Sequence, residues 1–192
     1  MTVDPRLFIA LPLDEPARLA VEGIVETVRA GEPEGRGVRW VRLEGLHLTL
    51  RFLGPTPEDR VPALVSAIGA AAATAGPFLI RIAGSGSFPP TGRPRTLWLG
   101  VEDGAEGVAR LAGALDDALA AAGWERSGRP FRAHLTLARA DGVQAGPATV
   151  RALARAVEGV EIPATLDRMT LFESITGGGR ARYRGRAEVR LT

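Results

Sequence analysis

The sequence predicts an α+β fold, because short strands and helices are mixed without the strict alternation that a doubly wound sheet requires. Segments of alternating or branched apolar residues recur along the chain, and stretches with helical periodicity separate them. The 24 glycines and 14 prolines predict many turns rather than long helices. With 192 residues and no low-complexity linker, the chain is expected to form a single domain over residues 1–192.

The predicted elements follow from these patterns in chain order. Strand patterns occupy residues 6–11, 38–42, 46–53, 78–83, 96–101, 132–139, 164–174 and 182–191. Helical patterns occupy residues 14–30, 58–75, 106–122 and 148–157. Asp14 is the predicted N-cap of the first helix, whose apolar face is Leu19, Ile24, Val25 and Val28. The Gly-, Ser- and Pro-rich segment 84–94 is predicted as a loop, and the three glycines at 177–179 as a hairpin turn.

The composition excludes several classes of protein. No apolar run approaches the roughly 20 residues that a membrane span needs. The apolar stretch from Leu7 to Leu13 follows Asp4 and has no basic region before it, so it predicts a first strand and not a signal peptide. The absence of cysteine excludes disulfides, thiol catalysis and cysteine-bearing metal sites. A cytoplasmic protein is expected, and without a heptad pattern or a long apolar patch it is expected to be a monomer.

The charge pattern is less informative than the isoelectric point suggests. The sequence pI is about 10.2, yet the formal net charge is only +2. All 24 basic residues are arginine, and without lysine almost nothing titrates between neutrality and the arginine range. Arginine is nevertheless the residue best suited to bidentate contact with phosphate.

The chain contains only two histidines, and each begins the same tetrapeptide. His-Leu-Thr-Leu occurs at 47–50 and again at 134–137, and a strand and a helix precede each copy. This repetition predicts a duplicated unit and hence two similar lobes.

Strand alternation predicts which side chains share a face with each histidine. In the first motif strand Leu46, Leu48, Leu50 and Phe52 form the predicted core face, and His47, Thr49 and Arg51 point the other way. In the second, Ala133, Leu135 and Leu137 face the core, and Arg132, His134 and Thr136 face away.

These residue types suit the cleavage of a phosphodiester. Two imidazoles can act as acid and base near neutral pH, one deprotonating water and the other protonating the leaving oxygen. Threonine hydroxyls can donate to the non-bridging oxygens of a phosphate, and arginine can neutralise its growing charge. Two histidines without cysteines or clustered carboxylates fall short of a usual metal-ligand set. A lone strand histidine is usually structural, but the matched pair favours chemistry.

The surroundings of both motifs resemble a known family. The residues that carry the resemblance are 6–11, Trp40-Val41, 47–54, Phe88-Pro89-Pro90, Arg93-Pro94-Arg95, Leu97-Trp98, 131–139, Glu173-Ser174 and Tyr183. They resemble the two-histidine phosphoesterase superfamily, and within it the bacterial and archaeal RNA 2′,3′-cyclic phosphodiesterases, historically called 2′-5′ RNA ligases. The resemblance spans nearly the full chain. Ala133 departs from it, since the family often has proline there.

The resemblance implies a fold, a reaction and roles. The fold is bilobal, two lobes each with an antiparallel sheet and helices packed outside, and a central cleft between the sheets. The reaction converts a ribose 2′,3′-cyclic phosphate to the 2′-phosphomonoester, with no metal or cofactor. His47 is implied as the proton donor towards the departing 3′-oxygen and His134 as the proton acceptor. Thr49 and Thr136 hold the phosphate.

The resemblance also places Arg139 near the phosphate, although strict alternation puts it on the core face. A strand end or a β-bulge would resolve this conflict. Phe52 holds the matching place in the first motif and could stack on a base, although core packing is the favoured interpretation. Arg51, Phe52 and Arg132 are the candidate substrate contacts.

Two further groups of arginines have open interpretations. Arg93 and Arg95 either guide a polyanion or belong to an ordinary solvated loop. On a continuous strand, Arg180, Arg182, Arg184 and Arg186 would form a stripe that contacts RNA or merely discourages edge pairing.

The expected substrates are RNA with 2′,3′-cyclic phosphate ends or small cyclic nucleotides. The alternatives are a module that binds nucleotides or RNA ends, and 2′-5′ ligation by the reverse chemistry.

Overall fold

The computed structural model describes residues 4–31, 37–140, 146–175 and 181–192. Within these ranges the strands are β1 (Arg6–Pro12), β2 (Val38–Trp40), β3 (His47–Pro55), β4 (Phe78–Phe88), β5 (Thr96–Val101), β6 (His134–Ala140), β7 (Glu161–Leu166), β8 (Arg168–Ile175) and β9 (Arg182–Arg190). The helices are α1 (Glu15–Ala30), α2 (Val61–Ala72), α3 (Ala105–Ala121) and α4 (Gly146–Ala156). None of the described helices is long and apolar enough to cross a membrane.

The described strands form one sheet, and neighbouring strands in it run antiparallel. The strand order is β7-β4-β5-β6-β3-β1-β8-β9, and β2 pairs with the far end of β6. The two motif strands, β3 and β6, are therefore neighbours at the centre, and three further strands lie outside each of them. The predicted mixture of helices with antiparallel strands is confirmed. The pairing of β3 with β6 joins the two implied sheets into one.

The helices cover the apolar face of the sheet. Helix α1 contacts α4 and β7, whereas α2 contacts α3, β8 and β9. The predicted cap of α1 is confirmed, since the Asp14 carboxylate accepts a hydrogen bond of 3.1 Å from the Ala17 amide. The buried face of α1 is Ala17, Val21, Val25 and Val28. The prediction for Leu19 was wrong: this side chain is 52% exposed, because it lies off that stripe.

Three other elements differ from prediction. Strand β4 continues to Phe88, so residues 84–88 of the predicted loop are strand. The predicted strand 164–174 is two strands, β7 and β8, with a break at Asp167. The predicted helix 58–75 begins as a 3₁₀ turn, Glu58–Arg60, and becomes α-helical where Pro62 occupies the first helical turn. The predicted turn at 177–179 lies outside the described residues.

Candidate active site

One backbone pair brings the two motifs together. Leu48 of β3 and Leu135 of β6 are antiparallel partners, and both side chains are fully buried. The same register extended by one residue sets His47 opposite Thr136, and Thr49 opposite His134. All four side chains therefore point away from the leucine face. Diagonal neighbours in such a ladder lie about 7–8 Å apart, so the two histidines come within reach of one small anion.

A β-bulge follows the first motif and changes which side chains share its face. Ala10 of β1 pairs with Thr49 and Ile9 pairs with Arg51, so Leu50 is an extra residue in β3. This shift puts Phe52 on the side of His47 and Thr49, and it turns Arg51 to the opposite side. The predicted core packing of Phe52 was wrong, because its side chain is 67% exposed.

A second β-bulge follows the second motif at the corresponding position. Trp98 of β5 pairs with Thr136 and Leu97 pairs with Ala138, so Leu137 is an extra residue in β6. Arg139 consequently shares the face of His134 and Thr136. Of the two explanations that were open for the position of Arg139, a strand end or a β-bulge, the structure has the β-bulge. The fifth residue after each histidine, Phe52 or Arg139, thus faces the same side as that histidine.

Each imidazole is oriented by a hydrogen bond to the backbone carbonyl two residues before it. The Nδ1 atom of His47 lies 2.6 Å from the carbonyl oxygen of Gly45, and that of His134 lies 2.7 Å from the carbonyl of Arg132. A carbonyl oxygen only accepts, so Nδ1 carries the proton and donates it in each case. The Nε2 atom of each neutral ring is then the one with a free lone pair.

Aromatic rings enclose His47. Its ring centroid lies 5.0 Å from that of Phe8, 5.7 Å from Phe172 and 5.3 Å from Tyr183, which meets it edge-on. This burial lowers the pKa of His47 below its ordinary value, and the hydrogen bond to Gly45 has a smaller effect in the other direction. Burial also raises the pKa of Tyr183, so its hydroxyl stays protonated.

His134 lies in a more cationic environment. Its ring meets Phe88 edge-on at 5.0 Å and Trp98 at 6.3 Å. Burial is the largest cause that lowers the pKa of His134. The hydrogen bond to the Arg132 carbonyl acts in the other direction, and the positive charges of Arg132 and Arg139 lower the pKa further. The neutral form of this imidazole is therefore favoured both by its apolar surroundings and by its charged neighbours.

A cavity of about 470 Å³ opens on this face of the sheet. Its described lining includes His47, Thr49, Thr136 and Arg139, four of the predicted site residues. Phe52 lines it as well. The ring of His134 is not part of this lining and lies beside it, against Phe88 and Trp98.

The cavity is strongly positive. Four arginines line it, namely Arg6, Arg39, Arg42 and Arg139, and its described lining contains no aspartate or glutamate. The guanidinium of Arg139 donates a hydrogen bond of 2.8 Å to the Thr96 hydroxyl, which holds it on the cavity side of β6. Such a cavity is suited to a phosphate group.

The other two candidate contacts lie outside the cavity. Arg51 donates to the Asp116 carboxylate at 2.6 Å and to the carbonyl of Glu125, so it ties β3 to α3 and its prediction as a substrate contact is not supported. The guanidinium of Arg132 lies 4.5 Å from the centroid of the Trp98 indole, next to His134. This cation–π contact leaves its N–H groups available at the edge of the site.

The remaining arginines do not form the predicted stripe. Arg184 and Arg186 are both paired with Glu173, and Arg186 is also paired with Glu58. A bulge in β9 at Arg186 breaks the alternation that the stripe required. Arg180 lies outside the described residues. Arg93 and Arg95 are exposed and outside the described cavity lining.

Several site residues were not predicted as such. Phe8 lies in the segment 6–11 that carries the family resemblance, and Phe172 was assigned to a strand by pattern alone; nothing local marks either of them as a neighbour of His47. Arg39 and Arg42 belong to no sequence motif that would have marked them as site residues. Trp98 and Tyr183 were noted only as part of the family resemblance, which was the available signal for them.

Comparison with known proteins gives consistent matches. Residues 15–178 match the family model described as the 2′-5′ RNA ligase superfamily. A protein of Archaeoglobus fulgidus named RNA 2′,3′-cyclic phosphodiesterase is 35% identical over 134 residues, which are 70% of this chain and 72% of that protein. The crystal structure of TT0787 of Thermus thermophilus covers 97% of both chains at 30% identity, with a TM-score of 0.77. Escherichia coli LigT, crystallised with 3′-AMP, covers 98% of both chains at 28% identity, with a TM-score of 0.73.

Proposed function

This chain belongs to the 2′-5′ RNA ligase superfamily, and from that membership we propose that it is an RNA 2′,3′-cyclic phosphodiesterase that forms a 2′-phosphomonoester. The observation that carries the proposal is the pairing of Leu48 with Leu135, which turns both histidines and both threonines to one face. Two imidazoles with free Nε2 atoms beside one positive cavity suit acid–base catalysis on a phosphate.

In the proposed reaction, water attacks phosphorus in line with the bond to the 3′-oxygen. Nε2 of neutral His134 accepts the proton of the attacking water, and Nε2 of protonated His47 donates a proton to the departing 3′-oxygen. One phosphorus–oxygen bond forms and one breaks, so the ring opens to the 2′-monoester. The chain finishes with His47 neutral and His134 protonated, and proton exchange with solvent resets both.

The assignment of acid and base is supported by the unequal surroundings of the two rings. Arg132 and Arg139 disfavour a positive charge on His134, which suits a base that begins neutral. No such cation contributes to the lowered pKa of His47, where burial dominates. A bound anionic phosphate would favour protonation of His47, as its role as donor requires.

The remaining groups are assigned to binding. Thr49 and Thr136 donate to the non-bridging oxygens, and Arg139 neutralises the charge that grows on them during attack. Phe52 offers an exposed ring on which the terminal base can stack. We assign the strands outside β3 and those outside β6 to two lobes, each of which supplies one His-x-Thr motif to the same phosphate.

The proposal is tested with adenosine 2′,3′-cyclic phosphate as substrate and separation of the 2′- and 3′-monophosphate products. His47→Ala and His134→Ala are each expected to lower kcat by about 10²- to 10⁴-fold, the usual contribution of a general acid or base. The double variant should be little worse than either single one, because the pair acts as a unit. Circular dichroism should show an unchanged fold.

Two further readouts belong to the same experiment. Activity should survive a chelator, because the chain's own imidazoles and guanidiniums carry the proposed chemistry. The profile of kcat/KM against pH should be bell-shaped, with its maximum below about 6.5, since both histidine pKa values are lowered. Near-normal hydrolysis by either single variant would refute the assignment of both histidines. Binding without turnover would favour a module that binds RNA ends, and joining of RNA ends would favour the reverse reaction.

A further inference from the structure

The cavity holds more positive charge than one cyclic phosphate can neutralise. A cyclic phosphodiester carries a single negative charge, and Arg139 together with two threonine hydroxyls already suffices to bind it. Arg6, Arg39 and Arg42 line the same cavity, and its described lining contains no carboxylate to offset them. This excess of cations indicates that the substrate brings a second negative group.

Arg39 and Arg139 form the most informative pair. They are direct partners across β2 and β6, so their side chains lie on the same face. Like charges directly opposite each other in an antiparallel pair are destabilising. Within the described ranges neither arginine forms an ion pair with a carboxylate, and a bound anion would relieve this repulsion.

Arg42 supplies an independent observation. Its Nε atom is buried, and it has no hydrogen-bond partner among the described residues. A buried charged donor without an acceptor is costly, and an anion bound in the cavity that Arg42 lines would offset part of that cost. By contrast, two arginines outside the described cavity lining have carboxylate partners: Arg51 binds Asp116, and Arg186 binds Glu58 and Glu173.

We propose that Arg39 and Arg42 bind a second phosphate, namely the phosphodiester that links the terminal nucleotide to its 5′ neighbour. This inference rests on the proposed function and narrows its substrate class to the ends of oligoribonucleotides rather than free cyclic mononucleotides. Along β6, Arg139 comes after His134 and Thr136. Arg39 of β2 is the backbone partner of Arg139, so it lies at the end of β6 away from His134. A chain that enters over β2 therefore presents its internal phosphate to Arg39 and Arg42, and its cyclic end to the histidines.

The test uses three substrates that share one terminal adenosine 2′,3′-cyclic phosphate. The first is the mononucleotide, the second adds a 5′ adenosine through a normal phosphodiester, and the third adds it through an uncharged methylphosphonate. The wild-type kcat/KM should be at least tenfold higher with the charged linkage than with the uncharged one. Arg39→Gln and Arg42→Gln should each reduce this ratio by roughly tenfold, as expected for a charge-assisted hydrogen bond.

Salt dependence gives a second measurement. For the charged dinucleotide, the slope of log(kcat/KM) against log[salt] should become shallower when a substitution removes a phosphate contact, because salt then screens one fewer charge pair. Arg151→Gln, at an exposed position of α4 outside the described cavity lining, is the matched control and should keep the wild-type ratio and slope. Thermal unfolding of each variant checks that it is folded. Arg39→Lys keeps the charge, so it should recover part of the ratio of kcat/KM between the charged and the uncharged linkage.

The outcomes separate this inference from the proposed function. Equal wild-type rates with the charged and uncharged linkages would overturn the second phosphate site while leaving cyclic phosphodiesterase activity in place. An equal loss on all three substrates in Arg39→Gln and Arg42→Gln would also overturn it, since that pattern indicates a general electrostatic effect. A folded wild-type protein that hydrolyses none of the three would refute the proposed function itself.

Discussion

Leu48 of β3 and Leu135 of β6 meet as backbone partners at the centre of the sheet, with both side chains fully buried in the core. Successive side chains of a strand point to opposite faces, so the residues on either side of each leucine must face away from the core. Two core leucines thereby determine where the histidines and threonines lie. The same register sets each histidine opposite the threonine of the other motif.

Removal of the Arg139 charge should shift the titration of one histidine and not the other. Burial is the largest cause that lowers the pKa of both histidines, and the positive charge of Arg139 adds to this lowering only for His134. In Arg139→Gln the pKa of His134 should therefore rise towards its ordinary value of about 6.5. Because the chain has only two histidines, ring-carbon NMR against pH resolves both curves, and His47→Gln assigns them. Arg151→Gln should leave both curves unchanged, and an unmoved His134 curve in Arg139→Gln would contradict this electrostatic coupling.

Acid should weaken the fold in a pH window that the histidines control. Both histidine pKa values are lower in the folded chain than the unfolded value of about 6.5, so the unfolded state takes up protons first. The contribution of the histidines to the free energy of unfolding should therefore be constant above about pH 7.5. It should decrease as pH falls through 6.5. Urea unfolding at pH values of about 8, 7, 6 and 5.5 measures the decrease across this window.

The double variant His47→Gln with His134→Gln is the control for this effect and should show a flatter dependence in the same window. Two carboxylates that are paired in the folded chain titrate outside this window. Hydrogen bonds from Arg184 and Arg186 lower the pKa of Glu173 and Glu58 respectively, so these groups lose their stabilising charge only at pH values below the ordinary glutamate range. An unaltered slope in the double variant would show that other groups cause the decrease.

Phe52→Leu should weaken substrate binding without weakening the fold. Stacking of a base on an aromatic ring contributes about 1–3 kcal/mol, so KM should rise by roughly 5- to 150-fold. The fold should be little affected, because the ring is 67% exposed. Leu79→Ala is the matched control, since Leu79 is 69% exposed and lies outside the described lining of this cavity. Equal KM values in wild type and Phe52→Leu would remove Phe52 from the binding site.

Gly86→Ala should destabilise the chain and disturb the surroundings of His134. A Cβ atom on Gly86 would overlap the Trp98 indole, which contacts both His134 and Arg132. Overpacking of this kind costs about 1–3 kcal/mol, which thermal unfolding detects. Gly113→Ala is the control, because Gly113 lies within α3 with open space around it. Gly113→Ala should be more stable than the wild type by about 0.4–1 kcal/mol. A Gly86→Ala variant as stable as the wild type would show that the indole has room to move.

Local patterns were sufficient to predict most of the elements and the two motif faces. The alternation of leucine with histidine and threonine identified the buried side at Leu48 and Leu135, and the cap at Asp14 located the start of α1. Strand β5 begins and ends where its apolar pattern does. Each of these features depends on residues within a few positions of one another, so it is readable along the chain.

Where local rules failed, the cause was a contact between distant segments. Residues 84–88 looked like a loop because glycine and serine are frequent in turns, yet Gly86 lies in a strand where the Trp98 indole needs its open space. Arg51 carried the right chemistry for a substrate contact, but Asp116, 65 positions away, binds it instead.

By itself, the sequence determined the strand and helix pattern, the two histidine–threonine faces and the family resemblance, because periodicity and motif spacing are properties of contiguous residues. Only the tertiary structure decided that Phe52 and Arg139 share those faces and that Arg51 does not. The physical reason is that a β-bulge, such as those at Leu50 and Leu137, is defined by how one strand pairs with another. The charge of the cavity likewise depends on tertiary structure, because the fold brings four arginines and no carboxylate into its described lining.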